Sequence, residues 1–193
     1  MEPGDYVIKL ADKEDIEGLS HMICRTSENL GYVWSNETEE EKIKTLRRLM
    51  LLEGNRFSHK NFKIIKNKKE IIGFFLGFEG RKLKFKTIKS NIMLFRLQKG
   101  LKNKLKYAIF IMKYIFYMEC LFNEYYLSNI FIKEEYRGLG YSCVLLEEVL
   151  NEAILNKYNK VVVRINNKKL ANYYKKFGYK FAKSDGFKMV LKI

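Results

Sequence analysis

The stretch Ile130-Phe-Ile-Lys-Glu-Glu-Tyr-Arg-Gly-Leu-Gly-Tyr-Ser-Cys-Val-Leu-Leu-Glu-Glu-Val149 decides how the rest of the chain is read. Apolar residues run to Ile132 and a short charged link follows. Arg137-Gly138-Leu139-Gly140 then opens a segment whose apolar residues recur as Leu145/Leu146, Val149/Leu150 and Ala153/Ile154. That recurrence has the helical period. A strand that enters a helix through a glycine-bearing turn leaves several backbone N–H groups without an intrahelical acceptor, and the helix dipole adds partial positive charge there. Phosphate oxygens are the matching guest. Gly138 and Gly140 let the backbone approach a diphosphate without a Cβ in the way, and Arg137 supplies a fork of donors. A Gly-x-Gly turn by itself is equally a tight connection with no ligand. The order around it narrows the reading: strand, turn, helix, then the wholly apolar Val161-Val-Val163. Two other phosphate loops are excluded, because the Gly-Lys-Ser/Thr end of a Walker loop is missing and the spacing is one glycine short of a dinucleotide fingerprint.

A second informative stretch is Asn167-Lys-Lys-Leu-Ala-Asn-Tyr-Tyr-Lys-Lys-Phe-Gly-Tyr179. Asn167 can cap a short helix, Leu170, Tyr173, Tyr174 and Phe177 recur along it, and Gly178 ends it. Between the two stretches the strand Tyr125-Tyr-Leu-Ser-Asn-Ile-Phe-Ile132, the helix after Ser142 and the run Lys160-Val-Val-Val-Arg-Ile165 form a β-α-β crossover, which makes those strands parallel neighbours. A cleft where two parallel strands meet a helix N-terminus is a general ligand site in α/β sheets.

Arg137-x-x-Gly140-x-Ser142, reached from Ile130-Phe-Ile132 through Glu135-Tyr136, resembles the acetyl-CoA pyrophosphate motif of the GNAT-type N-acetyltransferases, usually Gln/Arg-x-x-Gly-x-Gly/Ala. Ser142 departs from the smaller residue the family prefers, and can itself donate a hydrogen bond. Asn167, Leu170, Tyr174, Gly178 and Tyr179 resemble the family's Asn-x-x-Ala-x-x-x-Tyr-x-x-x-Gly-Phe signature. The resemblance is carried by motif over residues 125–181 and elsewhere by element order. It implies a mixed α/β fold: a GNAT-like central mixed sheet of about six to seven strands flanked by helices, with a helical insertion between the third and fourth strands.

The resemblance also implies acetyl-CoA as cosubstrate and no metal. The backbone of Ile130, Phe131 and Ile132 would meet the pantetheine arm. Arg137, Gly138, Leu139, Gly140, Tyr141 and Ser142 would cradle the diphosphate, and Asn167 would both cap its helix and contact the pantetheine. Tyr174 would protonate the departing thiolate as a general acid. Read alone, a helical tyrosine beside Phe177 is as well a core residue, and Tyr173 is its decoy. Glu124, just before the cofactor strand, and Glu28, between the first two helices, are candidates for relaying the amine proton, and both read equally as surface acids.

Composition bounds the partners. The chain has 193 residues, 47% hydrophobic and 15% aromatic, with one proline and a formal charge of +15. That is core material enough for one globular domain over residues 1–193. The positive balance favours polyanions: nucleic acid, an acidic membrane or a phosphorylated cofactor. The same excess also fits the Lys, Asn, Ile and Tyr bias of an AT-rich coding sequence. Cys24, Cys120 and Cys143 are odd in number and lack a Cys-x-x-Cys pair, against a disulfide framework or zinc site and in keeping with a reducing cytoplasm. Cys143 is expected to be a small buried packing residue. His21 and His59 are expected to be structural or exposed. The acidic start reads as no signal peptide, and the apolar run 107–118 is too short to span a bilayer.

From the N-terminus, Tyr6-Val-Ile-Lys-Leu10 reads as a strand. Asp12 reads as the cap of a helix carrying Ile16, Leu19, Met22 and Ile23, and Ser35/Asn36 as the start of a second helix that runs to Gly54. Residues 62–66 and 70–78 read as a hairpin around Asn67-Lys-Lys69, and 177–181 with 186–193 as the closing strands. The segment at about 81–118 holds eleven lysines and arginines and no Asp or Glu. It reads as one or two basic amphipathic helices, whose bland role is a solvated face with snorkelling lysines. The sharper roles are a collar for acidic acceptors, an RNA surface or a membrane-surface helix.

The expected activity is therefore transfer of an acetyl group from acetyl-CoA to a primary amine by direct attack in a ternary complex. The partners are acetyl-CoA and an amine acceptor, no DNA, an acidic membrane surface or RNA through the basic segment, and a homodimer as one assembly. The competing reading is a basic nucleic-acid- or membrane-binding protein on the same scaffold with little or no catalysis.

Overall fold

A computed structural model describes residues 5–26, 38–68, 70–114, 117–183 and 185–193. Seven strands make one sheet: β1 (Val7–Leu10), β2 (Phe62–Lys66), β3 (Ile71–Glu79), β4 (Tyr125–Ile132), β5 (Lys160–Arg164), β6 (Lys180–Ala182) and β7 (Asp185–Lys192), in the spatial order β1-β2-β3-β4-β5-β7-β6. Every pairing is antiparallel except β4 with β5. Strand β3 is buried on both faces, as its unbroken Ile-Ile-Gly-Phe-Phe-Leu run demands. Among the described residues six α-helices flank the sheet: α1 (Ile16–Thr26), α2 (Glu39–Leu51), α3 (Gly80–Leu97), α4 (Leu101–Tyr114), α5 (Tyr141–Leu155) and α6 (Lys168–Lys175).

Alternation along the strands sorts the core into two layers. Phe62, Phe74, Tyr126 and Val162 pack against α1, α2 and the α3–α4 pair. Phe75, Tyr125, Leu127, Val161 and Val163 pack against α5 and α6. Each fully buried aromatic contributes about 1.5–3 kcal/mol relative to exposure. Helix α5 is tied down by charge as well: Lys63 of β2 reaches both Glu148 and Glu152, and Glu152 also accepts from the Tyr125 hydroxyl.

Several sequence expectations are adjusted. Helix α1 starts at Ile16. Asp12 instead closes a turn in which Asp15 accepts from the Asp12 N–H at 3.1 Å. Ser35 and Asn36 lie outside the described residues, and α2 is capped by Thr38 through a reciprocal box with Glu41. The closing strands are β6 and β7, so Phe177 lies in the turn before β6. Cys143 is exposed, because it falls on the outer side of α5 while Leu145, Leu146 and Val149 face the sheet. His59 is buried with Nδ1 2.7 Å from the Met50 carbonyl, and His21 is exposed beside Glu17 and Arg47. The basic segment forms two helices, α3 and α4, between the third and fourth strands. No helix among the described residues is long and apolar enough to cross a membrane.

Candidate active site

Strands β4 and β5 pair for three residues only, Tyr125–Leu127 against Val161–Val163, and then part. From Ser128 to Ile132 the edge of β4 that faces β5 has no partner strand among the described residues. A bulge sits at the parting. On the β3 side the register passes from Leu76↔Asn129 to Gly77↔Leu127, leaving Ser128 as the extra residue. Backbone groups on the β5-facing edge of Ile130–Ile132 thereby line the opening, the Ile132 carbonyl accepting from Arg137. Their side chains serve the core: Ile132 on the α5 side, Phe131 stacked on Phe74 on the other.

Past Ile132 a single 3-10 turn, Glu134–Tyr136, leads into the head of α5. Gly140 caps that helix in the left-handed region at φ 84°, and Gly138 sits at φ 80° with open space where a Cβ would be. Among the described residues, the backbone N–H groups of Gly138, Leu139, Gly140, Tyr141 and Ser142 have no acceptor, whereas those of Cys143 and Val144 bond back to the Gly140 carbonyl. This cradle of donors at a helix N-terminus fits a diphosphate. The turn is clamped from outside. Lys133 pairs with Glu70, and the Tyr136 hydroxyl donates to the same carboxylate at 2.9 Å, which ties the cradle to the β2–β3 turn. Glu70 is held below the usual carboxylate range by Lys133 first and Tyr136 second. Tyr141 is buried against Tyr6 and Tyr136, so it contributes its N–H and anchors the turn with its ring. The Arg137 guanidinium is not turned into the cradle. It donates to the Ile132 carbonyl at 3.2 Å, lies 3.5 Å from Glu134 and sits over the Phe131 ring.

Helix α6 supplies the other wall. Asn167 caps it, its side chain accepting from the Leu170 N–H at 2.9 Å. Tyr174 is 3% exposed and packs edge-on between Tyr173 and Tyr179. No hydrogen bond engages its hydroxyl among the described residues, and burial pushes its pKa well above the ordinary phenol range. It therefore holds its proton at neutral pH, as a donor must. The Tyr173 hydroxyl is buried close to Ser142 at the head of α5.

Glu124 lies elsewhere. It stands immediately before β4, is 4% exposed, and its carboxylate accepts from Lys188 at 2.6 Å and from the Leu121 N–H at 2.7 Å. By strand alternation it shares the face of Tyr126, opposite Tyr174. Both bonds fall on Oε2, and through that oxygen Glu124 ties β7 to the residues just before β4. Glu28 lies outside the described residues.

One cluster at the parting escaped the sequence reading. Arg56 makes a forked pair with Glu119 at 2.6 and 3.0 Å and donates to Ser128, the bulge residue, at 2.8 Å. Burial opposes its charge, but Glu119 more than restores it, and the guanidinium titrates above its usual range. The cluster sits on the face opposite α5 and α6, at the floor of the opening. Its members are 63 and 72 positions apart in sequence, and only Ser128, a lone hydroxyl in an apolar strand, hinted at it.

Comparison with known proteins agrees with this geometry. Residues 101–191 match the family described as an acetyltransferase (GNAT) domain. No curated protein matches the chain. Among solved structures, an acetyltransferase superposes with a TM-score of 0.70 at 19% identity, covering 97% of this chain and 99% of its own. An N-acetyltransferase from Staphylococcus aureus Mu50 gives 0.71 at 16% identity, covering 96% and 100%. The PaiA N-acetyltransferase from Thermoplasma acidophilum, solved in complex with coenzyme A, gives 0.55 at 16%, covering 98% and 100%. At these identities the structures show a shared fold, and residues 101–191, a little under half of the chain, are similar to the acetyltransferase (GNAT) domain.

Proposed function

We propose that the protein transfers an acetyl group from acetyl-CoA to a primary amine by direct attack in a ternary complex. The observation that carries this reading is the run of five N–H groups, Gly138 to Ser142, that have no acceptor among the described residues, at the end of a strand that has just parted from its parallel neighbour. Acetyl-CoA supplies an activated acyl group. The chain's own residues bind and orient. The cradle holds the diphosphate, the free edge of β4 at Ile130–Ile132 offers main-chain bonds to the pantetheine, and Asn167 steadies the opposite wall. Holding the thioester and an unprotonated amine in one geometry lowers the barrier by removing translational and rotational freedom, so no protein nucleophile is needed. Tyr174 donates to the sulfur as charge develops there, its buried phenol being protonated throughout the neutral range. The amine enters from the face opposite α5 and α6, over the Arg56–Glu119–Ser128 cluster.

The test is calorimetric and chemical. Acetyl-CoA and CoA, each at about one hundred times its dissociation constant, should stabilise the fold by about 2.7 kcal/mol. A panel of primary amines should then divide into those that release CoA thiol and those that do not. Absence of any thermal shift with either nucleotide would sink the reading.

A further inference from the structure

Once α3 and α4 have packed, each keeps an apolar stripe that nothing covers among the described residues. On α3, Leu83, Ser90 and Leu94 turn into the core, leaving Phe85, Ile88, Ile92 and Phe95 in one line, 36–63% exposed. On α4, Tyr107 turns inward and its hydroxyl donates to Asn91 at 3.1 Å. Leu101, Leu105, Ile109 and Met112 then form an outward line, exposed by 84, 62, 48 and 70%. Both spacings are helical, so each line is one continuous strip. Exposed cations border both strips: Lys89 and Arg96 on α3, Lys102 and Lys106 on α4. Carboxylates engage other cations of this segment, Lys82 by Glu79 and Lys99 by Glu41. Lys102 and Lys106 have no such partner among the described residues.

We infer that this helical pair docks on an anionic lipid bilayer, with α4 lying in the plane of the interface. Three occupants compete for such a surface, and charge and side-chain chemistry choose among them. A second copy of the chain would set one cation row against another across a two-fold axis, with no acid between residues 81 and 118 to offset it. A nucleic acid would take the lysines but has no use for the α4 line, whose aliphatic side chains offer no ring for a base to stack on. A bilayer uses both: aliphatic groups enter the acyl boundary while lysine stems run along it and place their ammoniums at lipid phosphates. The inference is independent of catalysis, since the strips lie on the pair between β3 and β4 and not at the head of α5.

The experiment is co-sedimentation of the full chain with vesicles of phosphatidylcholine alone, and of phosphatidylcholine with phosphatidylglycerol at roughly two to one. The protein should pellet with the anionic vesicles and stay in solution with the neutral ones. Lys102→Gln with Lys106→Gln should lower partitioning about thirtyfold, each lysine near the surface being worth about fivefold. Leu101→Ser with Leu105→Ser should lower it at least about tenfold with no change in circular dichroism, because these side chains lie outside the core. Failure to bind anionic vesicles at low salt overturns the inference, whatever the variants do. So does undiminished binding by the serine pair, which would reduce the surface to a polyanion patch. A shift from dimer to monomer in that pair would make the strip a contact between copies and would equally overturn it.

Discussion

At the head of α5 the turn is built on glycines and the buried Tyr141, and its backbone donors are unpaired among the described residues, whereas along α4 the backbone is closed in helical hydrogen bonds and a line of apolar side chains stands exposed. The two regions can therefore recognise only different things. The first presents fixed N–H dipoles at a spacing set by backbone conformation, which suits one small anion of defined shape. It tolerates many residue types but demands left-handed positions at 138 and 140. The second presents charge and apolar area with no concavity, which suits an extended surface, and it depends on which side chains are present. Substitution should expose this asymmetry: changes of backbone freedom matter at the head of α5 and changes of side-chain character matter on α4.

The largest effect is expected where one side chain does enter the first region's chemistry. Tyr174→Phe should lower kcat by about 10²–10⁴-fold while acetyl-CoA affinity stays within a few-fold, measured by thiol release and calorimetry. An unchanged kcat would return Tyr174 to the core. The sign of the pH dependence follows from burial. Tyr174, Tyr125, Tyr126 and Tyr179 are all raised above the ordinary 10.0, desolvation being the first cause in each. A folded value above the unfolded one means that stability from these phenols is intact below pH 10.0 and is lost as pH rises through the folded values. The rate should accordingly show no alkaline fall due to Tyr174 below that point. A limb below it that vanishes in Tyr174→Phe would contradict the burial.

Next comes the joint between the regions. Arg56 touches all three parties: its N–H donates to Ser90 of α3, its guanidinium pairs with Glu119 just after α4, and it reaches Ser128 at the bulge of β4. Glu119→Gln leaves a half-buried guanidinium without its counter-charge and should cost about 1–3 kcal/mol in denaturant unfolding. A loss below about 1 kcal/mol would mean that the pair is solvated and that the helical pair moves independently of the site.

The difference between the regions also governs how much was legible in the sequence. The turn at Arg137–Ser142 and the helix from Asn167 could be read because their determinants are local: glycines, a cap and a period within some twenty residues. Even there, side-chain direction did not follow from position. Arg137 turned to its own strand's carbonyl, and Cys143 faced out although its neighbours suggested a core helix. The surroundings of Glu124, just before β4, could not be read from position either, because they are decided by Lys188, 64 positions away on β7. The Arg56 cluster was invisible for the same reason, since partners brought together by sheet order leave no spacing to detect. The helical pair was the reverse case: its composition was plain and its two helices were foreseeable, but which apolar residues would stay uncovered depended on packing that no period encodes.

The smallest effect gives the most closely matched comparison, because each region contains a glycine of the same kind. Gly138 in the cradle has φ 80° and Gly100 between α3 and α4 has φ 78°, and a Cβ at either would meet nothing within 4 Å. Alanine at each therefore bears the same backbone cost, about 1–2 kcal/mol for a left-handed non-glycine residue, and no steric one. Both variants should lose comparable stability in thermal melts. Only Gly138→Ala should also weaken acetyl-CoA binding, by several-fold, as the strained turn relaxes and its N–H groups swing out of alignment. Gly100→Ala should leave that affinity untouched. If the two alanines changed affinity equally, backbone conformation at residue 138 would carry no binding information. The donors of the cradle would then have to be found among the side chains, and the contrast between the two regions would fail at its foundation.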